Sequence, residues 1–304
     1  MKKVLVIGAG NVGAHIIQYA VTRNIGAEFY LLDINEELEK AQILDLKDTL
    51  LFSEKAKVEG INFDDPRIEE MDIIVVTAGA NQGPGETRCD LLKKNTSILQ
   101  SIASGLENIK SSAIVLLVTN PVDILTHIAY DLFDLPKQQI FGTGTLLDSA
   151  RLKWRLAEKM NINIKNVHGW VLGEHGDSEF VAWSTVGPLN TAISQSEKEA
   201  IELSVQRQAY EIIEGKGATY FGISAATNCL LNAIIHDTKQ ILPVSTIYPY
   251  SDHKSLQNVP IGVPATIGAN GVEQIMELQL TEEEFQKLRK SADKLCKLYG
   301  SCPI

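Results

Sequence analysis

A doubly wound parallel α/β sheet, followed by a smaller α+β part, is the fold class this chain predicts, and three observations predict it. Continuous apolar runs at 4–7, 73–77 and 113–118 alternate with helical patterns, as strands buried on both faces do. A glycine turn, Gly8-Ala9-Gly10-Asn11-Val12-Gly13, joins the first run to the first helix. Around 141–144 the alternation weakens, and later apolar runs at 241–248 and 259–267 read as antiparallel strands. The expected division is therefore 1–142, a nucleotide-binding unit, and 143–304, an α+β substrate-binding and catalytic unit.

The first run ends in the glycine turn, and a helix follows through Ile16, Ile17, Ala20 and Val21. A second strand at 29–32 ends in Asp33, 20 residues after the last glycine. In that βαβ setting the three glycines have separate tasks. Gly8 makes the turn, Gly10 admits a pyrophosphate against the backbone, and Gly13 lets helix and strand pack closely. This is the Rossmann-type arrangement, with the helix N-terminus facing the anion. Asp33 is placed to accept hydrogen bonds from ribose hydroxyls and to repel a 2′-phosphate, so the cofactor expected is NAD rather than NADP.

A charged helix covers 35–48. The strand at 73–77 delivers Thr77, Ala78, Gly79 and Ala80 to the carboxyl end of the sheet, where ligands of such sheets sit. The stretch 81–88 is polar and glycine-rich, and reads either as a surface loop or as a mobile lid. A helix follows over 91–106. The strand at 113–118 then delivers Thr119-Asn120-Pro121-Val122-Asp123. Asn120 precedes a proline, which favours an extended backbone and can aim its amide at a ligand.

In the second half, Asp148 and Arg151 stand three apart at the start of a helix and share a face. Alone, they are either a surface ion pair or part of a site. His175 lies in Gly173-Glu174-His175-Gly176-Asp177-Ser178, after the apolar residues 170–172. This is either a polar turn or the place of an acid/base group, since histidine trades protons near neutral pH. A charged helix at 196–214 is broken by residues 215–219. An apolar helix runs on to 235, and Thr281-Glu282-Glu283-Glu284 opens the terminal helix with an acidic first turn.

The composition excludes some function classes. A net charge of −10 over 304 residues opposes non-specific nucleic-acid binding, and makes an anionic substrate dependent on local arginines. The four cysteines form no CxxC pair, so no metal site and no disulfide framework is expected, and free thiols fit a reducing cytoplasm. The N-terminal apolar stretch is short for a signal peptide, and no run reaches the roughly 18 residues of a membrane span.

Taken in order and spacing, the glycine turn, Asp33, the 82–88 loop, the 119–123 motif, Asp148-Ser149-Ala150-Arg151 and 173–178 resemble the L-lactate/malate dehydrogenase family over essentially the whole chain. The resemblance implies a cytoplasmic homo-oligomer, tetramer or dimer, with NAD as cofactor and a small 2-keto or 2-hydroxy acid as substrate. It implies that His175 is the acid/base, Asp148 its ring partner, Arg151 the carboxylate clamp and Arg88 the polarising lid residue. Asn120 is implied to bond the substrate oxygen region, and Thr219 to line the pocket. It places Gly8, Gly10, Asn11, Val12, Gly13, Asp33, Thr77, Ala78, Gly79, Val118, Asn120, Thr143 and Ile223 around the cofactor.

Gln82 takes the position where malate-type members carry an arginine for a second carboxylate. A neutral amide there points to pyruvate and lactate, with 2-hydroxyisocaproate-type acids as the alternative suggested by residues 142–147 and 180–183. A non-catalytic NAD-binding protein is the rival from another class, and the four reactive residues oppose it. Many bacterial members bind fructose 1,6-bisphosphate between subunits through an arginine and a histidine. The matching positions are Lys153 and His168, and lysine lacks the planar fork.

Overall fold

The structure is a computed structural model that describes residues 1–53, 55–80 and 87–301, without the side chains of Arg88 and Ser301. In chain order it comprises β1 (Lys2–Ile7), α1 (Asn11–Thr22), β2 (Ala27–Leu32), α2 (Glu36–Asp48), β3 (Lys57–Gly60), β4 (Ile73–Val76) and α3 (Arg88–Ser104). These are followed by β5 (Ile114–Leu117), α4 (Val122–Leu132), β6 (Ile140–Gly142), α5 (Leu146–Met160), β7 (Trp170–Leu172) and β8 (Phe180–Ala182). The chain closes with α6 (Gln195–Lys216), α7 (Phe221–Ile235), β9 (Gln240–Ile247), α8 (Lys254–Asn258), β10 (Pro260–Gly268), β11 (Gly271–Ile275) and α9 (Glu282–Ser301).

The main sheet runs β11-β10-β9-β6-β5-β4-β1-β2-β3. The six strands from β1 to β6 pair in parallel, as the doubly wound reading requires. Each strand sends alternate side chains to opposite faces. Leu5 and Ile7 join the core under α3, α4 and α9, whereas Val4 and Val6 join the core under α1 and α7. A third, smaller core lies between α5, β7, β8 and α6.

Two features went beyond the sequence reading. The late antiparallel strands do not stand apart, because Gly142 of β6 pairs with Ser245 of β9 and the sheet continues through them. The helix expected from residue 91 begins at Arg88. Thr87 and Asp90 form a reciprocal capping box there, with the Asp90 N–H donating to Thr87 Oγ1 at 3.2 Å and the Thr87 N–H donating to Asp90 at 3.0 Å.

One expectation is corrected. Cys89 is disulfide-bonded, while Cys229 and Cys296 are free. Wide spacing in sequence does not measure distance in space, and the absence of a CxxC pair could not exclude a disulfide.

Candidate active site

Strand register sets the site. Ile7 pairs with Leu32 and Val76, Val76 with Leu117, and Leu117 with Gly142, so five parallel strands end at one level. The residues that leave those ends are Gly8, Asp33, Thr77, Val118 and Thr143. That is why Thr77, Val118 and Thr143, distant in sequence, line one cavity of about 330 Å³. Val12, Gly79, Asn120, Arg151, His175, Thr219 and Ile223 line the same cavity.

The glycine turn has the shape a dinucleotide needs. Gly8 has φ +110°, and a Cβ there would stand 2.7 Å from the Ala78 nitrogen. A Cβ on Gly13 would stand 1.9 Å from the Gly8 carbonyl oxygen. At Gly10 the space is open, and no side-chain hydrogen bond caps the α1 N-terminus. Main-chain donors of the first turn are thus left for an anion. Asp33 stands beside them, accepting the Ala9 N–H at 2.6 Å and the Asn35 N–H at 2.8 Å. The residues present therefore fit NAD, held by the 8–13 turn, Asp33 and the cavity wall. On the far wall, α7 is docked on α1 by Asn228, whose Nδ2 donates to the Ile16 carbonyl at 2.9 Å. That contact brings Ile223 to the cofactor cavity.

The reactive side chains converge at the cavity's other end. His175 Nδ1 is 2.7 Å from Asp148 Oδ2. A carboxylate can only accept, so Nδ1 carries a hydrogen and Nε2 is the exchangeable position. Arg151 donates to Asp148 Oδ1 at 2.9 Å. This is the i, i+3 pair anticipated as a surface bridge or a site, and it is buried, with the two side chains 6% and 1% exposed. Asn120 Oδ1 accepts the Val122 N–H at 3.3 Å, which frees its amide N–H groups for other partners. Burial lowers the proton affinity of the His175 ring, but the Asp148 charge and hydrogen bond, with Glu179 and Asp123 behind them, raise it further, to about 9. Burial opposes ionisation of Asp148, and the charges of His175 and Arg151 overcome it, holding the carboxyl below its ordinary range.

Of the other anticipated residues, Gln82 and the Arg88 side chain lie outside the described residues. Ala78 packs against the core beneath the cavity. Lys153 is half-buried, with Nζ 4.2 Å from the Trp170 ring centroid, and His168 is exposed.

Comparison with known proteins agrees with this geometry. The model for the lactate/malate dehydrogenase NAD binding domain matches residues 2–142, and the model for the lactate/malate dehydrogenase alpha/beta C-terminal domain matches residues 145–299. The chain belongs to the lactate/malate dehydrogenase family. It is 38% identical to an L-lactate dehydrogenase of a Thermoanaerobacter species, with 96% of each chain covered. It is likewise 38% identical to L-lactate dehydrogenase 1 of Listeria monocytogenes, covering 98% of this chain and 96% of that one. Among solved structures, the minor L-lactate dehydrogenase from Enterococcus mundtii superposes with a TM-score of 0.93 at 32% identity, over 100% and 99% of the two chains. A lactate dehydrogenase from a Medee basin deep-sea metagenome library gives 0.92 at 36% identity, over 99% and 98%. The chain is an NAD-dependent oxidoreductase acting on the CH–OH group of a hydroxy acid.

Sequence reasoning missed part of the site. Glu179, 6% exposed, places Oε2 4.0 Å from His175 Nδ1. Burial, with the Asp148 charge, holds its carboxyl well above the ordinary range. Its offset of four from His175 was the only signal available. Leu147, Ala209 and Ile213 also line the cavity, and nothing distinguishes them in sequence from ordinary helix residues.

Proposed function

We propose that the substrate pair is pyruvate and L-lactate, interconverted with NADH and NAD. The observation that carries this reading is the meeting of Arg151 and the His175–Asp148 pair in the cavity that the cofactor strands also line. Arg151 binds the substrate carboxylate with the guanidinium donors that Asp148 leaves over. Below about pH 9 the imidazole is charged, so Nε2 gives a proton to the oxo oxygen in reduction and takes it back in oxidation. Bound NAD(H) supplies or accepts the hydride at the same carbon. Asp148 keeps Nδ1 protonated throughout and stabilises the charged ring. Arg151 and charged His175 set two positive groups at the cleft, with the buried Asp148 carboxylate behind them. A monoanion is therefore attracted although the whole chain carries −10. Asn120 would donate to the substrate oxygen, Thr219 would border the substrate side chain, Ile223 would line the cofactor's end of the cavity, and Arg88, at the start of α3, would polarise the carbonyl.

Gln82 supports a monocarboxylate, since an amide leaves the second charge of oxaloacetate unpaired. A second reading, bulkier 2-keto acids such as 2-ketoisocaproate, is favoured by one feature. A further cavity of about 590 Å³ continues past His175 and is lined by Leu91, Leu203, Tyr210, Ile213 and Leu298. The proposal includes the division at 142/143, a cytoplasmic site of action in glycolytic carbon metabolism, and a homotetramer or dimer. Exposed Leu44, Leu51, Phe52 and Phe221 support assembly with copies of the same chain. Among the described residues no helix is long and apolar enough to cross a membrane.

The test is kcat/KM with NADH for pyruvate, 2-ketoisocaproate and oxaloacetate. Pyruvate is expected to lead and oxaloacetate to be poorest. A lead of about tenfold for 2-ketoisocaproate, roughly what one or two methylenes are worth in an apolar pocket, gives the place to the second reading. No NADH oxidation with any of the three returns the chain to the non-catalytic alternative.

A further inference from the structure

The 119–123 motif has yielded one substrate contact, Asn120, and left a buried acid without a task. Asp123 is 3% exposed. Its Oδ2 accepts the main-chain N–H of His175 at 2.8 Å, across 52 residues. Its Oδ1 accepts the hydroxyl of Ser245 at 2.5 Å, across 122 residues, and Ser245 is fully buried in β9. The same motif is tied toward the cofactor. Asn95 Nδ2 donates to the Asn120 carbonyl at 2.7 Å, and Asn95 Oδ1 accepts the Ala80 N–H at 2.7 Å. Hydrogen bonds and the short 120–123 turn thus connect the cofactor strand end, the substrate-binding Asn120 and the main chain of His175.

We infer that Asp123 is a positioning residue for hydride transfer, holding the His175 main chain at a fixed distance from Asn120 and from β9. The inference rests on the reading of His175 as the acid/base. Its physical ground is that the turn's own contacts, Ser178 Oγ on the Glu174 carboxylate and the Glu179 N–H on the Gly176 carbonyl at 3.1 Å, do not hold the His175 amide. Gly173 adopts φ +101°, which gives the turn its shape but no rigidity. For that amide the support comes from outside the turn: among the described residues it is Asp123 that accepts the His175 N–H. Ser291 grips the neighbouring Glu174 N–H at 2.7 Å instead. The charged groups around this contact are Glu174 and Glu179 of the catalytic loop, Asp148 and Arg151 of α5, and Lys294 of α9, which pairs with Glu174. Burial raises the Asp123 carboxyl to about 6 against the pull of Ser245 and the His175 N–H, so it is ionised at neutral pH and adds to the field at the ring.

Two substitutions separate geometry from charge. Asparagine retains an acceptor for the His175 N–H and a donor for Ser245, and removes the charge. Alanine removes both bonds. Each variant, with Ser245→Ala and His175→Asn, is measured for kcat and KM with NADH and pyruvate and for NADH dissociation by fluorescence. The His175 midpoint is read by imidazole carbon NMR without ligands. Asp123→Ala is expected to lower kcat roughly 10- to 100-fold, the scale of a sub-ångström to ångström misplacement, with NADH affinity held. Asp123→Asn should recover most of that kcat at pH 7 and lower the His175 midpoint. Ser245→Ala should lose kcat severalfold. His175→Asn should lose about 10²- to 10⁴-fold in turnover and still bind NADH. Retained turnover in His175→Asn overturns the acid/base reading and this inference together. Loss there, with Asp123→Ala at parental kcat and the Asp123→Asn midpoint unmoved, overturns this inference alone. If Asp123→Ala does not fold, parental kcat in Ser245→Ala with an unmoved Asp123→Asn midpoint has the same force.

Discussion

The glycine turn at 8–13 and the catalytic turn at 173–178 both leave the end of a strand, and different means shape them. The glycine turn takes its shape from close main-chain packing, with Asp33 accepting the Ala9 N–H and Thr77 Oγ1 donating to the Gly8 carbonyl. Gly8 donates its N–H to the Leu32 carbonyl at 2.8 Å, and helix and strand close until no Cβ fits at Gly13. The catalytic turn is fixed by groups far away in sequence, namely Asp123, Asp148, Gly262 and Ser291. A binding turn that presents main-chain N–H groups to a phosphate needs only a backbone shape. A turn that moves a proton needs a side chain of set pKa, and neighbouring charges set it.

The sharpest way to break this comparison is Gly13→Ala. The added methyl meets backbone rather than a flexible side chain, at 1.9 Å, so strand and helix must part. Overpacking of this kind costs roughly 1–3 kcal/mol, up to about a hundredfold in NADH affinity. Fluorescence titration checks it. Affinity within threefold of the parent would show that close packing is not what shapes the turn.

The same contrast explains what the sequence made legible. The cofactor end could be read because its determinants are contiguous: a strand, three glycines at fixed offsets, a helix and an acid 20 residues on. The identity of Asp148 as the ring's partner came through resemblance, not from the turn itself, whose own acids Glu174 and Asp177 lie closer in sequence. Glu179, Asn95 and Ser245 stayed hidden, because each matters through a contact made only when distant segments meet. The attachment of β9 to β6 stayed hidden for a related reason. An apolar run shows that a strand is buried, not which edge it joins.

pH separates the two turns next. His175 lies near 9 rather than at its ordinary 6.5, so reduction of the keto acid should hold up to about pH 9 and then fall about tenfold per unit as Nε2 loses its proton. Oxidation of the hydroxy acid, which needs the neutral ring, should rise toward the same point. The sign for stability follows from the same shift. The folded state binds this proton more tightly, so the contribution of His175 is fully present below about 6.5 and disappears as pH rises through about 9. NADH affinity should stay nearly flat from pH 7 to 9, because main-chain N–H groups do not titrate. Profiles of kcat/KM in both directions, beside NADH titrations, check the pair. A reduction limb near 6.5 would mean that Asp148 does not hold the ring charged.

The smallest effect concerns the catalytic turn's outermost support. Lys294 of α9 donates to Glu174 at 2.7 Å, and the Glu174 carboxylate is 9% exposed and bonded also by Ser178. Lys294→Met keeps the aliphatic stem and removes the charge. Glu174 then loses its cation in a buried position, which costs roughly 1–3 kcal/mol and lowers Tm by a few degrees. Turnover should fall only a few-fold, since Ser291 still holds the Glu174 N–H and Asp123 still holds His175. Calorimetry with kcat at pH 7 separates the two effects. A Tm at the parental value would mean that the pair is screened and α9 supports the turn through Ser291 alone. A kcat loss beyond about a hundredfold, the scale of an ångström's misplacement, would move Lys294 from outer support to a determinant of ring position as direct as Asp123.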